Sequence, residues 1–296
     1  MNTVHFLVAY WGDPDFLDAA VASVISQTDD RWLLTIVDDA YPGGRARDRY
    51  ADHPDHRIEY LRNEVNLGVA GNFERCRTLA RGDLVVFLGS DDLLRPDFVA
   101  CARSSAATTD WTILQLGVEV IDDDGRPART LTDRVKAWLA PNRPTTLRGE
   151  PLAISLLRGN WLYWPSLVFR RGALDRHAFR QDLPIILDLA LIMELVLDGA
   201  SLSVRDDPVF AYRRHSASAS SVSLLEGERL ADERRFLREM AHRLRDHGWR
   251  RAARVCRWRV VSRLQGLASL PTAVVLSVRR QTWEPLKLVA ANAFLR

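Results

Sequence analysis

The chain has 296 residues, 27% of them charged, and a formal net charge of +3, long enough for one large α/β domain or a domain plus an extension. Its three cysteines, Cys76, Cys101 and Cys256, fall at unrelated spacings, which argues against a disulfide framework or a zinc site and for a reducing compartment. No uncharged apolar run reaches the ~18 residues of a membrane span, and Met1 to His5 lack the basic start and apolar core of a signal peptide.

Strand and helix signals alternate over the first hundred residues. Val4 to Tyr10 reads as a strand, and Phe16 to Gln27 as a helix with Leu17, Val21, Val24 and Ile25 on one face. Leu33 to Val37 is the next strand and runs into Asp38-Asp39, followed by the turn Pro42-Gly43-Gly44. Arg57 to Leu61 alternates like a short strand, and Gly71 to Ala80 carries Phe73, Cys76 and Ala80 on one helical stripe. Leu84 to Leu88 has no alternation, as in a strand covered on both faces, and it stops at Gly89-Ser90-Asp91-Asp92. This rhythm predicts a doubly wound α/β sheet. The first β-to-α turn lacks G-x-G-x-x-G, which disfavours a Rossmann dinucleotide site.

Further on, Thr112 to Ile121 leads into Asp122-Asp123-Asp124-Gly125, read as a solvated hairpin turn, and residues 126–150 read as a surface connection. Trp164 to Phe169 is a strand, Leu187 to Leu197 a helix, and Val209 to Tyr212 a last strand. The Ser-rich segment Ser216 to Ser223 reads as either a lid or a linker. His53 and His56 read as a surface pair.

Charge divides the chain. Residues 226–296 carry +9 and residues 1–225 carry −6, so the expected organisation is a domain over 1–225 and a basic helical extension over 226–296. The extension spaces Phe236, Met240, Leu244, Val255, Trp258 and Val261 into apolar stripes among arginines. Such helices bind anionic membrane surfaces; the alternative is a stripe packed on the preceding domain with the arginines in solvent. The expected location is cytoplasmic, peripheral on the cytoplasmic face of the membrane. No recognised nucleic-acid module accompanies the basic residues, so no nucleic-acid partner is expected.

Ligands of open α/β sheets bind beyond the carboxyl ends of the strands. Two acidic strand ends, Asp38-Asp39 and Asp91-Asp92, therefore point to a metal–nucleotide site. Together with Tyr10, Ser23 to Thr28, Asn66-Leu67-Gly68, Asn72, Arg81-Gly82-Asp83, Asp188 and Tyr212 to His215, their order resembles the family-2-type inverting glycosyltransferases of the GT-A fold, over roughly residues 4–223. The resemblance implies a GT-A-type, mostly parallel sheet. It implies an enzyme moving a sugar from a nucleotide-diphosphate donor to the hydroxyl of a glycan, lipid-linked or small-molecule acceptor, in cell-surface glycan or glycolipid synthesis.

It also implies roles. Ala9, Tyr10, Asp38, Asp39 and Asn72 would hold the nucleotide sugar. Asp91 would hold Mg²⁺ or Mn²⁺ with the diphosphate, and His215 would stand near them as a further metal ligand. Asp188 aligns with the family's general base; Asp92 would hold the loop or reach the acceptor, and Trp161 would contact the acceptor or pack in the core. Two positions depart from the pattern: Gly89 stands where the metal motif has its first aspartate, and Leu187 where the base has an acidic neighbour. These departures motivate an alternative, a non-catalytic sugar-nucleotide-binding or assembly subunit. Nucleotidyl transfer on a related sheet is weaker, because its Gly-rich, basic first loop is absent.

Overall fold

In the computed structural model, the described residues are 2–214, 228–258, 260–280 and 282–294. Four parallel strands form one half of a sheet: β1 (Val4–Tyr10), β2 (Trp32–Asp38), β3 (Ile58–Arg62) and β4 (Leu84–Phe87). All but one residue of β1 and all of β4 are buried, which accounts for their unbroken apolar runs. The crossovers are α1 (Pro14–Ile25), α2 (Arg45–Tyr50) and α3 (Gly68–Thr78). Asp13 starts α1 by accepting from the Asp15 N–H at 2.8 Å, and Pro14 fills the first turn, where no N–H is required.

Beyond β4 the chain adds β5 (Leu93–Leu94), α4 (Phe98–Thr108), β6 (Ile113–Ile121), α5 (Leu131–Leu139), β7 (Thr145–Arg148) and α6 (Gly149–Arg158). A 3-10 turn at Trp164–Ser166 leads into β8 (Leu167–Arg170), then α7 (Arg171–Leu174), α8 (Leu187–Leu197) and β9 (Ser201–Arg213). Among the described residues the sheet has nine strands, in the order β3-β2-β1-β4-β8-β6-β9-β5, with β7 also on β9. It is parallel through β3, β2, β1 and β4 and mixed beyond, where β8 runs antiparallel to both its neighbours and β6 pairs parallel with β9.

Residues 126–150 are more than a surface connection. Thr130 caps α5 through a reciprocal pair of bonds with Asp133, and β7 follows. The last strand starts at Ser201, eight residues before the apolar run that betrays it. The acidic turn does form a hairpin: Gly125 sits at φ +80°, its N–H donates to Asp122 O at 3.0 Å, and Ile121 bridges Pro127. The Ser216 to Ser223 segment lies outside the described residues.

The expected boundary near residue 225 is not where packing divides. Helices α9 (Glu228–Asp246) and α10 (Arg250–Trp258) bury Phe236, Met240, Leu244, Ala252 and Cys256 in the same core as Leu7, Val85 and Phe87 of the sheet. Polar contacts hold them there. Arg243 pairs with Glu194 of α8 at 2.6 Å, Arg180 grips both oxygens of Glu239 at 2.6 and 2.7 Å, and Glu150 accepts from the Arg251 and Ala252 N–H groups that start α10. The apolar stripe of α9 thus packs on the domain. Helices α11 (Val260–Arg280) and α12 (Glu284–Phe294) pair with each other and share a second, small core with the start of α9, built on Leu230, Ala273 and Val289.

Candidate active site

The register opposes Tyr10 to Asp38, and β4 continues beside β1, with Leu88 N–H donating to Leu7 O at 3.0 Å. The carboxyl ends of β1, β2 and β4 therefore share one edge, bringing Tyr10, Asp38-Asp39 and Asp91-Asp92 together. Two of the proposed nucleotide contacts are consumed by the fold. The Tyr10 ring is buried against Tyr41, its hydroxyl donates to Gly12 O at 2.9 Å, and burial pushes its pKa up. Asp38 accepts from Tyr41 N–H at 2.8 Å, Arg62 at 2.7 Å and the Tyr60 hydroxyl, whose own pKa is pushed up to about 12 by burial and then by this bond. Asp38 is full.

Asp39 is not. Its Oδ1 takes Asn63 Nδ2 at 2.6 Å and Leu67 N–H at 2.8 Å, while Oδ2 has no hydrogen-bond partner among the described residues. Asn72 stands behind it, buried, donating to Val37 O at 3.0 Å and accepting from Asn63 at 3.2 Å. It orients the layer that orients Asp39, and has no path to a ligand of its own. Ala9 lies on the core side of β1 and offers only backbone. Beside Asp39 a hollow of ≈ 310 Å³ is lined by Arg62, Asn63, Glu64, Val65, Leu67 and Arg75. Trp11, exposed and edge-on to Tyr41 at 5.3 Å, supplies an aromatic face at the same edge. Sequence reasoning missed it, although an aromatic immediately after a strand end was the available signal.

At the end of β4, Asp91 is half-buried and Asp92 is enclosed. Asp92 Oδ1 accepts Arg213 N–H at 2.8 Å, whereas Oδ2 is buried without a partner. Burial, and then the adjacent Asp91 charge, push the Asp92 carboxyl well above the usual carboxylate range. Of the two roles expected for Asp92, holding the loop is the one this geometry fits: it ties the loop to β9 and is too enclosed to reach an acceptor. Arg213 completes the tie, donating to Asp91 O at 2.8 Å and to Asp123 O at 2.7 Å. Gly89 is explained by the same packing. A Cβ there would lie 2.5 Å from Asp92 Oδ2 and 2.9 Å from Asp91 Oδ1. The first aspartate of the metal motif is missing because the Asp92 carboxylate occupies its space.

Among the described residues no three His, Cys, Asp or Glu side chains cluster as a metal cage. Mg²⁺ is commonly held by one or two carboxylates plus substrate phosphates. Asp91, half-buried at the end of β4, fits that sparser demand, and the enclosed Asp92 carboxyl stands behind it. His215 lies outside the described residues.

Asp188 sits in the first turn of α8 and does not cap it. The cap position is Ile186, with no side-chain bond. Asp188 Oδ2 instead accepts from Asn160 Nδ2 at 3.2 Å, and Oδ1 has no hydrogen-bond partner among the described residues. From Asn160 the chain runs to Trp164, whose ring stacks on Phe87, the last residue of β4, at 5.4 Å. That connection sets Asp188 on the flank of the strand edge. Leu187 is buried in the core, so an acid at that position would be desolvated. Trp161 is 1% exposed with its indole N–H bound to Ser155 Oγ at 3.1 Å, and it is a core residue, contrary to the acceptor role expected for it. Glu194 is committed to Arg243.

The overlooked helix α5 closes this flank. Arg214 grips Asp133 through three bonds of 2.6–3.0 Å, and the Tyr163 hydroxyl donates to Asp133 at 3.0 Å. Burial opposes the Asp133 charge, but Arg214 and Thr130 prevail and hold its pKa down to about 2. One turn on, Lys136 donates to Leu162 O and lies 4.2 Å from the Tyr163 ring. Burial, reinforced by Arg229, pushes the Lys136 amine down to about 7.

An acidic edge at the carboxyl ends of parallel strands, on a mixed sheet of this order, is the layout of a GT-A-type fold. The family model for glycosyl transferase family 2 matches residues 6–160, more than half of the chain, and the chain belongs to that family. It is 28% identical over 185 residues to the uncharacterized protein MT1568 of Mycobacterium tuberculosis (strain CDC 1551 / Oshkosh), covering 60% of this chain and 56% of that relative. It is 26% identical over 243 residues to the succinoglycan biosynthesis protein ExoO of Rhizobium meliloti (strain 1021), covering 80% of this chain and 69% of that protein. The chain thus spans little more than half of the first relative. In structure it is similar to TarS 1-349 of S. aureus in complex with UDP-GlcNAc, with a TM-score of 0.66 at 13% identity over 98% of this chain and 91% of that one. The mannosyltransferase PcManGT of Pyrobaculum calidifontis, in complex with GDP-Man and Mn²⁺, gives 0.58 at 16% identity over 99% and 87%. At such identities these structures speak for the fold alone.

Proposed function

We propose that the chain is an inverting transferase that moves a sugar from a nucleotide-diphosphate donor to an acceptor hydroxyl in cell-surface glycan synthesis. The observation that carries this reading is Asp188, a half-buried carboxylate that neither caps its helix nor forms an ion pair, on the flank of the nucleotide edge. Its free Oδ1 takes the proton from the acceptor hydroxyl as that oxygen attacks the anomeric carbon, and Asn160 orients the other oxygen. Asp39 Oδ2 accepts an N–H or O–H of the nucleoside, and Trp11 covers it. Asp91 binds with the diphosphate at the end of β4, where Mg²⁺ or Mn²⁺, when bound, offsets the negative charge of the leaving group. The nucleotide sugars bound in the TarS and PcManGT structures are in keeping with this donor class, and the succinoglycan biosynthesis named for ExoO with cell-surface glycan synthesis. The basic tail supports a place on the cytoplasmic face of an anionic membrane, where a lipid-linked or glycan acceptor is presented.

Asp188→Asn tests the base. Folding and nucleotide binding are expected to persist while transfer falls by roughly 10²–10⁴-fold, and NMR of the product is expected to show the inverted anomer. Near-parental transfer by the folded variant, or retained configuration, would overturn the assignment. Gly89 and Leu187, which stand where the family pattern has acids, motivate one second reading, a non-catalytic sugar-nucleotide-binding or assembly subunit. Purified chain that binds donor but neither transfers nor hydrolyses it would select that reading.

A further inference from the structure

Helix α11 carries an apolar seam that nothing in the described chain covers. Val260, Leu264, Leu267, Val274 and Val278 are each at least 41% exposed and recur at near-heptad spacing, with Pro271 in the same register. Exposed tryptophans bracket it, Trp258 at 69% and Trp283 at 60%. Helix α5 bears a second exposed stripe, Leu131, Val135 and Trp138, the last 79% exposed. The two helices meet at Gly159, whose Cβ would lie 2.7 Å from Leu139 of α5 and 3.4 Å from Val261 of α11. The next residue, Asn160, holds Asp188.

Charge lies on α10, the helix that leads directly into this seam. Arg245, Arg250, Arg254 and Arg257 line a hollow of ≈ 450 Å³, and none of the four pairs with a carboxylate of the described residues. Arg250, Arg254, Arg257 and Trp258 follow one stripe of α10. Between Asp246 and Glu284 the sequence has eight arginines and no acid. A second copy laid on this face would bring like charge against like. An anionic bilayer satisfies both features, taking the apolar seam into its acyl boundary, the tryptophans at headgroup level and the arginines onto phosphates.

We propose that α5, α10 and α11 form one docking face for an anionic lipid surface, with the arginine hollow seating lipid phosphates. The face adjoins the flank that holds Asp188, so the acceptor is of the lipid-anchored class and meets the base from the membrane side. This choice of acceptor rests on the transferase reading; the docking face itself does not.

The test is co-sedimentation of the full chain with vesicles of phosphatidylcholine alone and of phosphatidylcholine with phosphatidylglycerol. Arg250→Ala/Arg254→Ala/Arg257→Ala and Trp138→Ser/Trp258→Ser are compared with the parent. The parent is expected to bind the anionic vesicles only, and less at high salt. With about 1 kcal/mol per basic residue at such a surface, the triple variant should lose roughly 10²-fold in partitioning. The tryptophan pair should lose binding together with the fluorescence blue shift. All replaced residues are exposed, so melting temperatures should stay parental. Equal binding to both vesicle types, parental partitioning by either variant, or a dimer at micromolar concentration that hides the seam would overturn the proposal. Thermal shifts with UDP or GDP and Mn²⁺ report the nucleotide site separately. Intact shifts without vesicle binding would overturn the docking face and leave the transferase reading standing.

Discussion

Restoring the missing aspartate of the metal motif should harm this protein. A Cβ at residue 89 falls 2.5 Å from Asp92 Oδ2, so the Asp92 carboxylate has to retreat by roughly 1 Å to reach ordinary contact. Asp92 is enclosed and its other oxygen holds Arg213 N–H at 2.8 Å; losing that bond costs about 1–3 kcal/mol. Gly89→Ala isolates this steric effect. At roughly 2–4 °C per kcal/mol for domains of 150–250 residues, its melting temperature should fall by on the order of 5 °C. Gly89→Asp adds a third carboxylate beside Asp91 and Asp92, where a like charge at 4 Å is worth about 4 kcal/mol of repulsion near a protein surface. It should melt lower still, and donor binding in Mn²⁺ should weaken. Differential scanning fluorimetry with and without Mn²⁺ and donor reads both effects. A Gly89→Ala protein as stable as the parent, or tighter metal-dependent donor binding by Gly89→Asp, would refute the argument that Asp92 fills the place of the lost residue.

Asp39→Asn keeps an oxygen for Asn63 and Leu67 but turns an amide toward the ligand. Nucleotide affinity should drop about 10- to 100-fold, the worth of a bond to a charged group, with little change in melting temperature. One free oxygen suits the single ring N–H of uracil better than the two neighbouring donors of guanine, so UDP should outrank GDP by calorimetry in the parent, and the variant should lose that preference. For Lys136, a folded-state pKa near 7 against an ordinary 10.5 means the unfolded chain binds the extra proton between those values. The cost of burying this amine is full below pH 7 and is relieved as pH rises toward 10.5. Relative to the parent, Lys136→Met should therefore be most favourable below pH 7, and its denaturation midpoint should lose that advantage as pH rises. Met240→Ala should cost about 2–5 kcal/mol in chemical denaturation, because α9 is part of the catalytic core; a chain stopped near residue 225 is expected to aggregate for the same reason.

The buried parallel strands were legible because both faces of β1, β2 and β4 are covered, which leaves an uninterrupted apolar signature. Helix α8 was legible to the residue, Leu187 to Leu197, since nearly every side chain in it is buried. The elements that were missed hide for physical reasons. The first eight residues of β9 end in Arg205-Asp206-Asp207-Pro208, polar and proline-broken, and they pair with β6 through an irregular register around Gly117. A Cβ at Gly117 would strike Asp206 O at 2.5 Å, so a glycine in one strand admits the break in the other. Helix α5 keeps an exposed apolar stripe and anchors itself by Asp133 to Arg214, 81 residues away; only its Thr130-x-x-Asp133 cap was local enough to read.

The site shows the same division. Motif order located the acidic strand ends, but not which carboxylate is spent on the fold. Asp38 and Asp39 are adjacent and both buried, yet three donors engage both oxygens of the first, while two donors share one oxygen of the second and leave the other open. That difference is set by Arg62, Tyr60 and Asn63, which approach from β3 and the loop behind it, over distances that no spacing rule encodes. The two departures from the family pattern follow from packing too. Leu187 faces the core, and Gly89 yields its space to Asp92. Neither removes Asp91 or the unbonded oxygen of Asp188, the groups to which we assign donor binding and proton abstraction. On that assignment the two departures leave the proposed chemistry its carboxylates, and Asp91→Asn and Asp188→Asn are the substitutions expected to abolish it.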